Sequence, residues 1–207
     1  MEQLKTIIVR EDILDGPVYE EQREEQRERI WKIKNNRRLS VGPHATFYFE
    51  SYDTMLYQIH EMVRIEKGGE EQISDELEAY NSLVPNGKEF VATLMFEIND
   101  PDYRTQILNG LGGVEEAIEL TVAGSSVKAS PEKDLDRTKE SGKTSAVHFV
   151  RFELTQEIIN KIKQDNPKVV ISIDHPNYGH AATLAKATLA ELKKDFFNNA
   201  DENTDSC

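Results

Sequence analysis

The chain has 207 residues, a formal net charge of −13 and a single cysteine, Cys207. That length buries a core without disulfides or metal. The lone cysteine excludes an internal disulfide framework and fits a reducing, cytoplasmic setting, and the acidic surplus repels nucleic-acid backbones at long range.

No run approaches the roughly 20 apolar residues of a spanning helix, and the charged opening MEQLKTIIVREDILDG has no long apolar stretch of the signal-peptide kind. One domain is expected over residues 1–197, helical to about 85 and strand-rich from about 86, with 198–207 a disordered tail.

Gly16-Pro17 predicts the start of a long helix, with Asp15 placed to cap it. Residues 19–34 are helical in composition but nearly all polar until Ile30. Their Glu and Arg residues recur at three- and four-residue spacing and can pair along the surface. The thin apolar seam of Tyr19, Ile30 and Ile33 suits a helix lying across the surface or against a second subunit. Lys32, Lys34, Arg37 and Arg38 form a basic cluster at its end, either a solvated helix terminus or a dock for a small anion or an acidic partner.

Alternation of Ala45, Phe47 and Phe49 with polar residues predicts a strand over 45–50. A helix over 52–67 follows, with Tyr52, Met55, Leu56, Ile59, Met62 and Val63 on one face and Gly68-Gly69 as its stop. Ile73, Leu77 and Tyr80 mark another helix, broken at Pro85-Asn86-Gly87. Strands are expected from residue 88 through Ile98, over 118–122 and its hairpin partner near Val127, over 145–154 and over 168–174. Short helices are expected from Pro101, after a Thr155 cap, and over 184–197, with residues 131–143 an exposed excursion. The order predicts an α+β fold, a largely antiparallel sheet with helices packed on it and a long charged N-terminal helix.

Familiar site motifs fail. Ser141-Gly-Lys-Thr lacks the upstream glycine and following helix of a phosphate loop. The glycine group at 110–113 follows a helix rather than a strand, and His60-Glu61 does not continue as a zinc helix. More informative are polar residues set among apolar ones. His148 shares a strand face with Val150 and Phe152, as a satisfied core histidine or as an acid–base or metal-binding one. Glu66 falls on the apolar face of its helix, either buried and paired or frayed into solvent, with Arg64 nearby. Asp174 and His175 end a buried strand in D-H-P-N-Y-G-H. This is good turn chemistry and also a position from which ligands are aimed. The metal alternative draws on His148, Asp174 and His175, and a polar pocket would add Arg64, Glu66, Tyr80 and Asn81.

The stretches NRRLSVGPHATFYFES at 36–51, YQIHEMVRIE at 57–66, DELEAYNSLVPNG at 75–87, KTSAVHFVRF at 143–152 and IDHPNY at 173–178 together resemble one family. It is an uncharacterised bacterial and archaeal family, catalogued as domain of unknown function three-five-zero-one. The resemblance carries over no catalytic residues and no cofactor. Family members are often encoded beside a rubrerythrin-like di-iron protein and an iron–sulfur oxidoreductase, which implies a role near peroxide defence or electron transfer. This chain lacks the cysteines for an iron–sulfur cluster, so any redox centre would belong to a partner. Two functions are therefore expected: a non-catalytic accessory protein docking on a redox partner, or a small-molecule-binding protein or enzyme with a His/Asp site.

Overall fold

Apolar alternation organises two sheets rather than one. The computed structural model describes residues 4–131 and 144–197. In the first sheet, β1 (Arg38–Val41), β2 (Ala45–Phe49), β3 (Glu89–Phe96), β7 (Val147–Glu153) and β6 (Ser130–Pro131) are antiparallel neighbours in that order. In the second, β5 (Ser125–Lys128), β4 (Ile118–Val122), β8 (Val169–His175) and β9 (Tyr178–Thr183) are again all antiparallel. The fold is α+β.

The inward residues of both sheets form the main core. Phe47, Phe90, Leu94 and Phe152 of the first join Leu120 and Ile171 of the second, with α4 (Pro101–Asn109), α5 (Gln156–Lys163) and α6 (Lys186–Leu192) contributing Leu108, Ile162 and Leu192. Thr155 caps α5, accepting the Ile158 N–H at 3.4 Å.

A second core lies under α2 (Tyr52–Glu66) and α3 (Gly69–Asn81), where Met55, Ile59, Ile73, Leu83 and Val84 receive Ile8 and Ile13 from the N-terminal segment. Ser51 opens α2 with a reciprocal cap to Thr54. The long α1 (Gly16–Asn35) runs antiparallel to α2 and buries only Tyr19 and Ile30. Its charges cross to the neighbouring helix: Arg29 pairs with Asp53, Arg23 with Glu61 at 2.8 Å, and Glu20 with Arg64 at 2.8 Å. The spacing read as pairing along one helix is thus an interhelical ladder, which supplements a seam too thin to hold α1 by apolar contact alone.

The backbone departs from the expected elements in four places. Asp15 sits at the cap position of α1 without a capping side-chain bond. Residues 38–41 leave the charged helix end to become β1. Tyr178 to Thr183, read as turn and loop, form β9. The final helix is shorter than 184–197, because the Leu184 N–H is taken by Val169 O at 2.9 Å and α6 passes into a 3-10 turn, Lys193–Asp195. The expected tail at 198–207, and the excursion beyond Pro131, lie outside the described residues. Among the described residues, no helix is long and apolar enough to cross a membrane.

Candidate functional site

β8 continues through His175, so Asp174 and His175 are successive strand residues and face opposite sides of the sheet. Asp174 is exposed. His175 is half-buried, with Nε2 3.2 Å from Gly112 O while Nδ1 accepts the Asn177 N–H at 3.2 Å. Both ring nitrogens are engaged by backbone. Pro176 and Asn177 form the two-residue turn, after which Tyr178 pairs with His175.

The Tyr178 hydroxyl accepts the N–H groups of His44 and Ala45, each at 2.9 Å, and donates to Val41 O at 2.8 Å. Burial pushes its pKa up, against those two backbone bonds. His180 lies against Gly42, whose φ of 71° and lack of a Cβ allow the approach. The heptapeptide is a fastener joining the second sheet to the β1–β2 turn of the first.

His148 is buried at 1% exposure. Its Nε2 is 2.9 Å from Ser145 O and 3.1 Å from the Thr144 hydroxyl, and its Nδ1 is 3.8 Å from the Glu115 carboxylate. A nitrogen that meets a carbonyl at that distance carries the proton, so it is the wrong tautomer to take one from Thr144. Among the described residues, no group of three or more His, Cys, Asp or Glu is arranged to hold a metal ion.

The other expected pocket residues are distributed. Arg64 bonds Glu20 on α1, and Glu66 is exposed at the end of α2, accepting from Gln72 at 3.1 Å. Tyr80 flanks the second core. Asn81 brackets the backbone of Ile8, taking its N–H at 2.7 Å and giving to its carbonyl at 2.9 Å. Arg64, Glu66 and Asn81 thus bond α1, Gln72 and the N-terminal segment, whereas Asp174 and His175 lie on the second sheet.

A polar cleft of about 700 Å³ opens elsewhere, beneath α1, bounded by the N-terminal segment, the start of α2 and the Lys193–Asp195 turn. Arg37 lines it and is 2% exposed. The guanidinium donates to Phe49 O at 3.0 Å and Glu50 O at 2.7 Å and pairs with Asp195. Burial pushes the Asp195 carboxyl up to about 6, against the pull of Arg37. Lys5 pairs with Asp12 at 2.8 Å, and that bond, with a second to Tyr52, raises its pKa. For Asp12, burial works upward, but bonds from Lys5 and the Val9 N–H hold the carboxyl below its usual range. His60 stacks on Tyr19 with 4.5 Å between ring centroids, and its Nε2 accepts the Leu14 N–H at 2.9 Å. Burial lowers its pKa.

The basic cluster read at the helix end is therefore split: Arg37 is a buried partner of Asp195, while Lys32 and Arg38 remain exposed and Lys34 is half-buried. Arg37 did carry a signal. It shares parity with Leu39 and Val41, the inward side of β1. Asp195 carried none, since nothing local marks it as a partner 158 residues from Arg37.

The model for a family described as "Protein of unknown function (DUF3501)" matches residues 7–196. The chain belongs to this family. The DUF3501 span begins just before Ile8 and ends just after Asp195, so it takes in both the N-terminal segment and the turn beside the cleft. A crystal structure described as a novel protein of unknown function from Burkholderia pseudomallei K96243 is similar at 37% identity and a TM-score of 0.84, covering 92% of this chain and 99% of that one. No curated protein matches.

Proposed function

We propose that this DUF3501 protein is a non-catalytic interaction protein, and that the α1 surface around Trp31, where it borders Tyr57 of α2, docks an acidic protein partner. The observation that carries the reading is Trp31 itself, a large aromatic left 67% exposed. Beside it is a shallow hollow lined by Arg27, Glu28, Lys32, Lys34 and Tyr57, three cations against one carboxylate, with the Lys34 ammonium over the Tyr57 ring. An exposed tryptophan within a cationic rim is the composition of an interface anchor, and it stands out on a chain of net charge −13. The family resemblance implies the partner class, a rubrerythrin-like or iron–sulfur protein.

Tagged protein expressed in its native host tests this. Enrichment of a rubrerythrin-like or iron–sulfur protein that is lost on Trp31→Ala supports the reading. Wild-type protein that never enriches either one removes it.

A second reading, a small-molecule-binding protein, is favoured by the cleft beneath α1, where Arg37 and Asp195 meet in a buried pair at the edge of open space. Chemical-shift changes confined to cleft residues on adding a metabolite mixture would favour it over the first.

A further inference from the structure

Among the described residues, 4–15 have no strand partner, yet they are held as a peptide is held by a receptor. Leu4, Thr6 and Ile8 turn inward while Lys5, Ile7 and Val9 turn out, the alternation of an isolated strand. A 3-10 turn at Arg10–Asp12 then brings Ile13 into the same groove between α2 and α3. Ile8 and Ile13 are the apolar anchors, both buried.

The polar contacts fall into two kinds. Asn81 reads main chain, with its amide bracketing both the N–H and the carbonyl of Ile8, and His60 reads the Leu14 N–H. These bonds do not depend on side-chain identity. The other kind selects charge: Arg10 forms a two-pronged pair with the exposed Glu70 carboxylate at 2.6 and 2.8 Å. Backbone bonds for affinity with pockets and a charge for selection are the physical scheme of peptide recognition.

We propose that the α2–α3 groove is a peptide-docking site, filled in cis by the chain's own N-terminal segment. In trans it takes a segment of a partner protein, extended and then turned as residues 4–13 are, with apolar anchors five residues apart and a basic residue two after the first. The groove is separate from the Trp31 flank, and the two proposals stand or fall independently. Gly16-Pro17 follows the segment directly and opens α1, so the segment is tethered to the body at that end.

A fluorescent peptide of residues 4–15 tests this, titrated against full-length protein carrying Ile8→Ser and Ile13→Ser. These changes empty the tethered segment of its anchors and leave the groove intact. Saturable binding is expected, weakened about tenfold or more by adding Asn81→Ala, which removes two hydrogen bonds. Binding to wild type is expected to be weaker still, because the tethered segment competes at roughly millimolar effective concentration. A folded variant that does not bind, or binding indifferent to Asn81→Ala, overturns the proposal. Should the double variant lose its fold, thermal melting with added peptide replaces the titration. Recovery by the native peptide and not by one with serine at both anchors supports the groove, and no recovery overturns it. A concentration-dependent wild-type dimer dissolved by the free peptide makes the occupant a second copy and overturns the partner assignment.

Discussion

At the β8–β9 turn, histidine, tyrosine and asparagine side chains bond the backbone of neighbouring loops, each with a fixed partner. Asn177 holds Gly110 O at 2.8 Å, His175 meets Gly112 O, and the Tyr178 hydroxyl gathers three groups of the β1–β2 turn. On the α1 side, charged side chains add a second kind of contact. Ionised groups pair with one another across α1, α2, the N-terminal segment and the last turn, and they border open space. Backbone partners cannot ionise or leave, so the first region is set as a structural joint. Side-chain ion pairs can be exchanged or titrated, so the second is where a ligand, a partner or a change of pH has leverage. The eye-catching heptapeptide belongs to the first kind.

The largest effect is expected at the buried pair. Arg37→Met leaves Asp195 without its cation and two carbonyls without a donor, and should cost about 3–5 kcal/mol in denaturant unfolding. Because burial already pushes Asp195 up to about 6, the loss should be smaller at pH 5 than at pH 8. Adding Asp195→Leu should recover part of it, and no recovery would show that the two carbonyl bonds dominate.

At the joint, Tyr178→Phe keeps the ring and removes one oxygen. The N–H groups of His44 and Ala45 and the carbonyl of Val41 then lose their shared partner. The expected loss is about 2–3 kcal/mol, with hydrogen exchange rising first at residues 41–45. A loss below about 0.5 kcal/mol would mean that the two sheets are fastened by apolar contact alone.

A smaller, pH-dependent effect separates the regions further. The folded His60 has its pKa lowered, so its contribution is present above the unfolded value near 6.5 and is lost as pH falls through the folded value. Protonation also abolishes its acceptance of the Leu14 N–H. Asp195 runs the opposite way: its raised pKa contributes stability that is complete below its ordinary 3.8 and lost as pH rises through about 6. Comparing wild type with His60→Gln cancels the Asp195 contribution. Between pH 7.5 and 5, wild type should lose about 1 kcal/mol relative to the variant, and equal slopes would refute the assignment.

Much of the fold was legible where alternation or helical period ran unbroken, as in β2, β3, β7 and α2. It was illegible where a short segment with little apolar alternation of its own was ordered by its hairpin neighbour. Arg38–Val41 is a strand because β2 pairs with it, and Tyr178–Thr183 because β8 does. The cleft was the least legible part. Lys5, Arg37, His60 and Asp195 come from four separate segments, and their meeting is a property of topology. Asn81 was singled out as a polar pocket residue, but only the structure supplies what it binds, the backbone of Ile8.

The smallest effect on stability is expected at the most exposed aromatic. Trp31 lines the hollow shared with Arg27 and Tyr57 and belongs to neither apolar core, and at 67% exposure its indole adds little to either. Trp31→Ala should therefore shift unfolding by no more than about 0.5 kcal/mol. An interface anchor truncated in the same way loses about 2 kcal/mol or more of binding, roughly thirtyfold in affinity. Calorimetric titration with the enriched partner, set beside thermal melting of the same variant, reads both quantities. A variant that melts like wild type and binds like wild type removes the α1 flank from the interaction. A variant that melts early makes Trp31 part of the scaffold, and the two sides of the molecule would then differ less than their bonding suggests.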